Sequence, residues 1–352
     1  MSLYRSFLRP LLFRLSADRA HELARLALGV PALWKVLGRL ARFADARLET
    51  ELAGLRLANP VGLAPGFDKD AALLLGLSQL GFGYIVVGSI TREPRYGNPF
   101  PRLVRYPERL SIANSMGLPN RGLAEAIRLL SGRRDRPCPI IASVAGFSSH
   151  QLLQAAQAIE PYVEAVEIGL VCPNTTETER LEELRVFGAL AEGLAAAKRK
   201  PVFVKLPPHH TEADRERVRA LVEICCRYRI EGVSVSGSRP VVESRLGAGT
   251  GSLAGRDTFA DALRIVHDVA EWAGSGLEIK ASGGVFSGQD ARLMLEAGAS
   301  TVEVYSALIY RGWTVAGEIN RELTSILAHE GLGSVRELHK TPESVRGPSG
   351  TR

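Results

Sequence analysis

Residues 163–175 read VEAVEIGLVCPNT. Apolar and polar residues alternate as in a strand, and the run then enters Cys172-Pro173-Asn174. Proline has no N–H to give a ladder, so the strand must stop there. One thiol, Cys172, is left at the strand's carboxyl edge, where it can reach a ligand. A small buried structural cysteine is the alternative role. The rest of the chain decides between them.

Apolar runs of strand length recur at 60–66, 84–91, 139–146, 165–173, 201–207, 232–238, 277–284 and 301–307. Helical patterns follow them, for example at 71–80, 149–159, 212–227 and 288–297. Eight such units predict an α/β fold, a (β/α)8 TIM barrel, whose parallel strands are buried on both faces. A doubly wound open sheet is the alternative. It predicts a Gly-x-Gly-x-x-Gly turn after an early strand, and the chain has none. A hairpin over 48–57, turning at Gly54, opens the barrel.

The 352 residues, 45% hydrophobic and 23% charged, suffice for one barrel plus an extension. Cys138, Cys172, Cys225 and Cys226 form no Cys-x-x-Cys pair, which argues against a metal site and for a reducing compartment. Cys225 and Cys226 fall in a helical pattern and read as core. No apolar run is long enough to span a bilayer, and no signal-peptide core is present. Residues 1–48 carry nine Lys/Arg against three Asp/Glu, so the whole +6 excess lies there; the remainder has 35 of each. Phe7, Leu8, Leu11, Leu12 and Leu15, then Ala20, Leu23, Leu26 and Ala27, recur at helical spacing among the arginines. A basic amphipathic helix pair of this kind suits a membrane surface. A solvated arginine face packed on the barrel is the competing role. Without interleaved aromatics the segment is no nucleic-acid platform. Three parts are expected: a helical extension (1–48), a barrel (49–333) and a flexible tail (334–352).

Barrel chemistry sits at the carboxyl ends of the strands. Those ends carry Pro65-Gly66-Phe67-Asp68-Lys69, Ser89 and Thr91, Ser143, Gly169 with Cys172 and Asn174, Lys205, Ser236-Gly237-Ser238, Gly283-Gly284, and Tyr305-Ser306. A loop after the second strand adds Asn114-Ser115-Met116-Gly117-Leu118-Pro119-Asn120. The last two strand ends offer backbone N–H groups at helix starts, as a phosphate cradle does. Lys205 ends an apolar strand, where an ammonium needs an anionic acceptor unless it snorkels to solvent.

On these motifs the chain resembles the dihydroorotate dehydrogenases over nearly its whole length. Tyr4-Arg5, Arg19-Ala20-His21-Glu22, the run from Asn59 to Asp70, and Gly97-Asn98 with Pro101-Arg102-Leu103 are similar to the quinone-linked class 2 enzymes. Asn114 to Asn120 and the cysteine at 172 are similar to the soluble class 1 enzymes. The resemblance implies FMN, with its phosphate on Gly284, Tyr305 and Ser306 beside Gly255. Its ring would lie near Pro65, Gly66, Phe67, Asp68, Lys69, Ser89, Ser143, Gly169 and Ser236, with Lys205 at N1. The substrate would meet Lys69, Asn114, Ser115, Met116, Gly117, Leu118, Asn174, Gly237 and Ser238. Cys172 would be the base. The implied reaction is oxidation of (S)-dihydroorotate to orotate in pyrimidine biosynthesis. Quinone would be the acceptor, met at the cytoplasmic side of the cell membrane by a peripheral enzyme that needs no metal and no nucleic acid; a purely cytoplasmic protein is the alternative.

The sequence departs from that pattern at Gly169 and Gly237, where the family carries substrate asparagines. Lost buried hydrogen bonds cost about 1–3 kcal/mol each, and glycine makes room. A paralogue acting on another cyclic amide or enone therefore stands as an alternative. So does a membrane-associated barrel without turnover.

Overall fold

The computed structural model describes residues 3–132, 136–170 and 181–339; Cys172 and Asn174 lie outside them. The chain opens with a wide helical turn, Tyr4–Leu8, which runs into α1 (Arg9–Phe13). Then come α2 (Ala17–Leu28) and α3 (Pro31–Ala41). Ser16 caps α2 by accepting from the Arg19 N–H at 3.3 Å, and Pro31 starts α3, where no N–H is needed. The expected helix pair is thus three helices, because the Gly29–Pro31 break separates two apolar periods.

The hairpin of β1 (Thr50–Leu52) and β2 (Leu55–Leu57) turns on Ala53 and Gly54, both with positive φ. Leu52 and Leu57 pack with Tyr84, Ile141 and Phe203, plugging the amino end of the barrel. In order follow β3 (Val61–Leu63), α4 (Leu74–Leu77), β4 (Tyr84–Ile90), β5 (Leu103–Tyr106), β6 (Ser111–Asn114), α5 (Leu123–Ser131), β7 (Ile140–Ala145) and α6 (Ser149–Ile159). Next are β8 (Ala165–Gly169), α7 (Leu184–Ala197), β9 (Val202–Lys205), α8 (Glu212–Arg227), β10 (Gly232–Ser236), β11 (Arg239–Val242) and β12 (Thr250–Gly255). The chain closes with α9 (Phe259–Ala273), β13 (Glu278–Ser282), α10 (Gly288–Glu296), β14 (Thr301–Val304), α11 (Ser306–Arg311) and α12 (Val315–Glu330).

Strands β3, β4, β7, β8, β9, β10, β13 and β14 pair in parallel and close into a barrel, which excludes the open sheet. All eight sequence runs contain a barrel strand. The excursions after β4 and β10 contribute a second, antiparallel sheet, β11-β12-β6-β5, which the sequence pattern did not reveal. Ser334 to His339, expected within a flexible tail, instead form a turn whose Val335 and Leu338 are buried in the core. Cys225 is buried in α8, as its helical spacing suggested.

Inside the barrel lies a layer of charge. Lys280 of β13 is fully buried and donates to Glu167 of β8 at 2.7 Å and Glu303 of β14 at 3.2 Å. Ser234 of β10 donates to Glu167, and the Tyr84 hydroxyl of β4 to Glu303. Five strands are cross-linked through one ammonium and its two carboxylates. Burial pushes the Glu303 carboxyl up. At Glu167 burial acts the same way but is outweighed by Lys280 and Lys205, so that carboxyl stays low. Lys280→Met would strand two carboxylates in a dry interior and is expected to cost about 3–5 kcal/mol. Urea unfolding measures this; a loss below about 1 kcal/mol would show that the layer does not hold the barrel.

Candidate functional site

The end of β3 builds one wall of the barrel mouth. Gly66 N–H donates to the Gly88 carbonyl at 2.6 Å, and Gly88 N–H donates to the Asp68 carbonyl at 2.8 Å, stitching that wall to β4. The Asp68 carboxylate accepts from Ala72 and Leu73 N–H, both at 2.9 Å, so this side chain shapes the loop. Burial pushes its carboxyl up to about 6. Lys69 donates to the Gly66 carbonyl at 2.6 Å. Burial, then Arg25, bring its ammonium down to about 8. Such an ammonium is poised to pair with an entering anion.

The neighbouring strand ends converge as expected. Ser89 and Ser143 hydroxyls lie 3.2 Å apart. Lys205, half-buried, pairs in register with Gly169 on one side and Ser234 on the other, above the Glu167–Lys280 layer. Ser236 and Ser238 hydroxyls are 3.3 Å apart. At the end of β13, Gly284 has φ +71°, and a Cβ there would come within 2.8 Å of the Gly255 carbonyl and of Phe259. Tyr305 precedes the first turn of α11, and Ser306 begins it. Gly255 and Gly284 thus form a close backbone approach that leaves no room for a side chain at 284.

Gly169 and Gly237 have different surroundings. A Cβ at Gly237 would meet the Thr258 carbonyl at 2.4 Å and Ala262 N at 2.6 Å, so this glycine lets α9 close in. The expectation that it makes room is corrected. At Gly169 a Cβ would meet only the Val144 carbonyl, at 3.3 Å, and space remains.

The antiparallel sheet delivers the Asn114 loop. Asn114 ends β6 and donates to the Ser252 carbonyl of β12 at 3.2 Å. Ser115 is buried and accepts from Asn98 at 3.1 Å, while the Met116 carbonyl accepts from Asn98 N–H. Gly117 and Leu118 both have positive φ, which turns the loop. Asn120 is committed elsewhere: its amide donates to Thr91 and to the Leu118 carbonyl, both at 2.8 Å.

An apolar cavity of about 350 Å3, not foreseen from the sequence, lies between the helical extension and the barrel. Ala17, Ala20, His21, Ala24 and Leu28 of α2 line it, with Trp34, Trp313 and Arg105. Burial, then Lys69 and Arg25, drop the His21 imidazole to about 3, so it is neutral. His21 packs edge-on against Phe67, and Phe67 against Tyr305, with ring centroids 5.8 and 5.9 Å apart. Phe67 and Tyr305 line this cavity, and the Tyr305 ring also lies against Gly66 of the polar mouth. The alanine spacing 17, 20, 24, 27 in α2, continued by Leu28, was the available signal; it marks a face turned away from the exposed Leu26.

A family model described as dihydroorotate dehydrogenase matches residues 47–327. The chain is 34% identical to the dihydroorotate dehydrogenase (quinone) of Thermus thermophilus, over 94% of this chain and 99% of that one. It is 36% identical to that of Sphingopyxis alaskensis, with 94% of each covered. Among solved structures, DHODH of Eimeria tenella in complex with ferulenol superposes with a TM-score of 0.78 at 25% identity, covering 94% of this chain and 96% of the other. With a family model matching residues 47–327 and relatives alike over nearly the whole chain, this chain belongs to the dihydroorotate dehydrogenase family.

Proposed function

We propose that the chain oxidises (S)-dihydroorotate to orotate, with FMN at the barrel mouth and a quinone admitted to the apolar cavity. The observation that carries this reading is the meeting of a polar mouth and an apolar cavity at Phe67 and Tyr305. The residues present fit FMN: the glycine cradle at 255 and 284 suits a phosphate, and Lys205 with Ser89 and Ser143 suits the polar edge of a flavin ring. When bound, FMN supplies a two-electron acceptor.

The chain's own groups would bind and orient. Lys69 would meet the substrate carboxylate; Asn114 and Asn174 would hold its amides. Cys172 would take the proton from the carbon beside the carbonyl, acting as the thiolate. Neutral His21 leaves the cavity uncharged there, as an uncharged quinone requires.

The extension would lie on a lipid surface. Leu3, Phe7, Leu11, Leu26, Val36 and Leu40 are more than half exposed, a density of bare apolar chains that suits an acyl boundary. Among the described residues no helix is long and apolar enough to cross a membrane. Contact would be peripheral. A second reading, a different cyclic amide as substrate, draws on the open space at Gly169 alone.

Cys172→Ala is expected to slow anaerobic bleaching of the flavin by L-dihydroorotate about 100- to 10,000-fold while FMN stays bound; unchanged bleaching sinks the base assignment. Because the Lys69 ammonium is lowered to about 8, its charge is complete below that pH and lost above it. Orotate affinity, read from the flavin spectrum, should therefore fall about tenfold per unit above pH 8. A flat profile to pH 9.5 would refute the pairing. Ala24→Trp fills the apolar cavity, and the KM for a quinone should rise at least about tenfold with bleaching by substrate unaltered. A wild-type quinone KM would place the acceptor elsewhere.

A further inference from the structure

A second cavity, about 420 Å3 and sharing no lining residue with the apolar one, opens between the first helical turns and the far side of the barrel mouth. Four arginines line it: Arg5 and Arg9 from the extension, Arg256 after β12, and Arg311 at the end of α11. Asp290 is the one carboxylate among the lining residues. Phe286 and Tyr310 add aromatic surface. None of these residues belongs to the FMN or substrate sets above.

The arginines are unequally satisfied. Arg256 pairs with Asp290 at 2.6 Å. Arg311 pairs with Glu318 at 2.6 Å and Glu322 at 3.0 Å, and Arg5 shares Glu318. Arg9 donates only to the Tyr310 carbonyl, at 3.1 Å, with no carboxylate partner among the described residues. One guanidinium in the cavity thus lacks a counter-charge among the described residues. A group with several anionic oxygens supplies one, since guanidinium forks match phosphate geometry.

Helix periodicity says what carries that group. Arg5 and Arg9, one turn apart, face the cavity. Leu3, Phe7 and Leu11, also spaced by four, are 61%, 66% and 57% exposed. One helix therefore offers cations to a pocket and apolar side chains to its outside. We propose that this pocket seats the phosphate of an anionic phospholipid headgroup, whose acyl chains share the layer entered by Phe7 and Leu11. The proposal rests on the membrane reading above.

The test uses full-length, FMN-loaded protein and co-sedimentation with vesicles of phosphatidylcholine alone or with one-fifth phosphatidylglycerol. Arg5→Gln with Arg9→Gln should lower affinity for the anionic vesicles about thirtyfold and leave binding to neutral ones unchanged. Arg14→Gln with Arg19→Gln, an equal charge loss at exposed positions outside the pocket, should cost about threefold or less. Unchanged thermal melting shows that each variant is folded. Equal losses for the two pairs mean diffuse attraction and overturn the pocket. Sub-millimolar binding of inorganic phosphate that is lost in the first pair would make free phosphate the ligand and also overturn the headgroup assignment. Binding to neither vesicle would overturn the membrane reading itself, whereas equal binding to both would overturn the pocket alone.

Discussion

The ammonium of Lys280, enclosed between Glu167 and Glu303, is the interaction on which the barrel depends. A charge taken fully out of water is tolerable only when opposite charge and further hydrogen bonds surround it. Here those partners come from β8, β14, β10 and β4, so the cost of burial is met only when the barrel is closed in its native register. A slip of one residue in any of these strands would turn the partner to the outside. The same layer forms the floor under Lys205, whose positive charge helps hold Glu167 ionised. Stability of the scaffold and electrostatics of the mouth are therefore one system.

Two additions to the barrel make the site. The antiparallel sheet pairs β12 with β6 through Gly255↔Ser111 and Ser252↔Asn114, which brings a cradle glycine and the Asn114 loop to the same mouth. The helical extension then covers the flank. Its α2 meets the β3 loop through the Arg25–Asp70 pair and the His21–Phe67 ring contact, and Tyr4 donates to the Ile309 carbonyl at 2.6 Å. Between extension and barrel remains an apolar space. In the proposed reaction that space puts the second acceptor one aromatic layer from the first.

The extension carries two apolar faces of different kinds. Alanines, His21 and Leu28 turn inward, where the small residues leave a cavity; Phe7, Leu11, Leu26 and Leu40 turn outward, where only another apolar phase would cover them. The arginines between them are likewise divided, some paired with barrel carboxylates and Arg9 left without one. A helix that served only to pack on the barrel would not require this division.

The sequence by itself determined the eight strands, the start of each to within one residue, and the hairpin plug, because each rests on local pattern: apolar runs and a two-residue turn at Gly54. It also determined the polar residues at the strand ends, since the barrel's direction puts every carboxyl end on one face. It did not reveal the antiparallel sheet, whose short strands come from excursions far apart in the chain, nor the Glu167–Lys280–Glu303 layer, whose members sit in unrelated runs. Gly237 shows the same divide. Its sequence says only that a side chain is missing, whereas the closeness of Thr258 and Ala262 decides that no space opened there. Periodicity is a property of neighbours along the chain, but a cavity, a buried ion layer or a filled gap belongs to residues that only the closed barrel brings together.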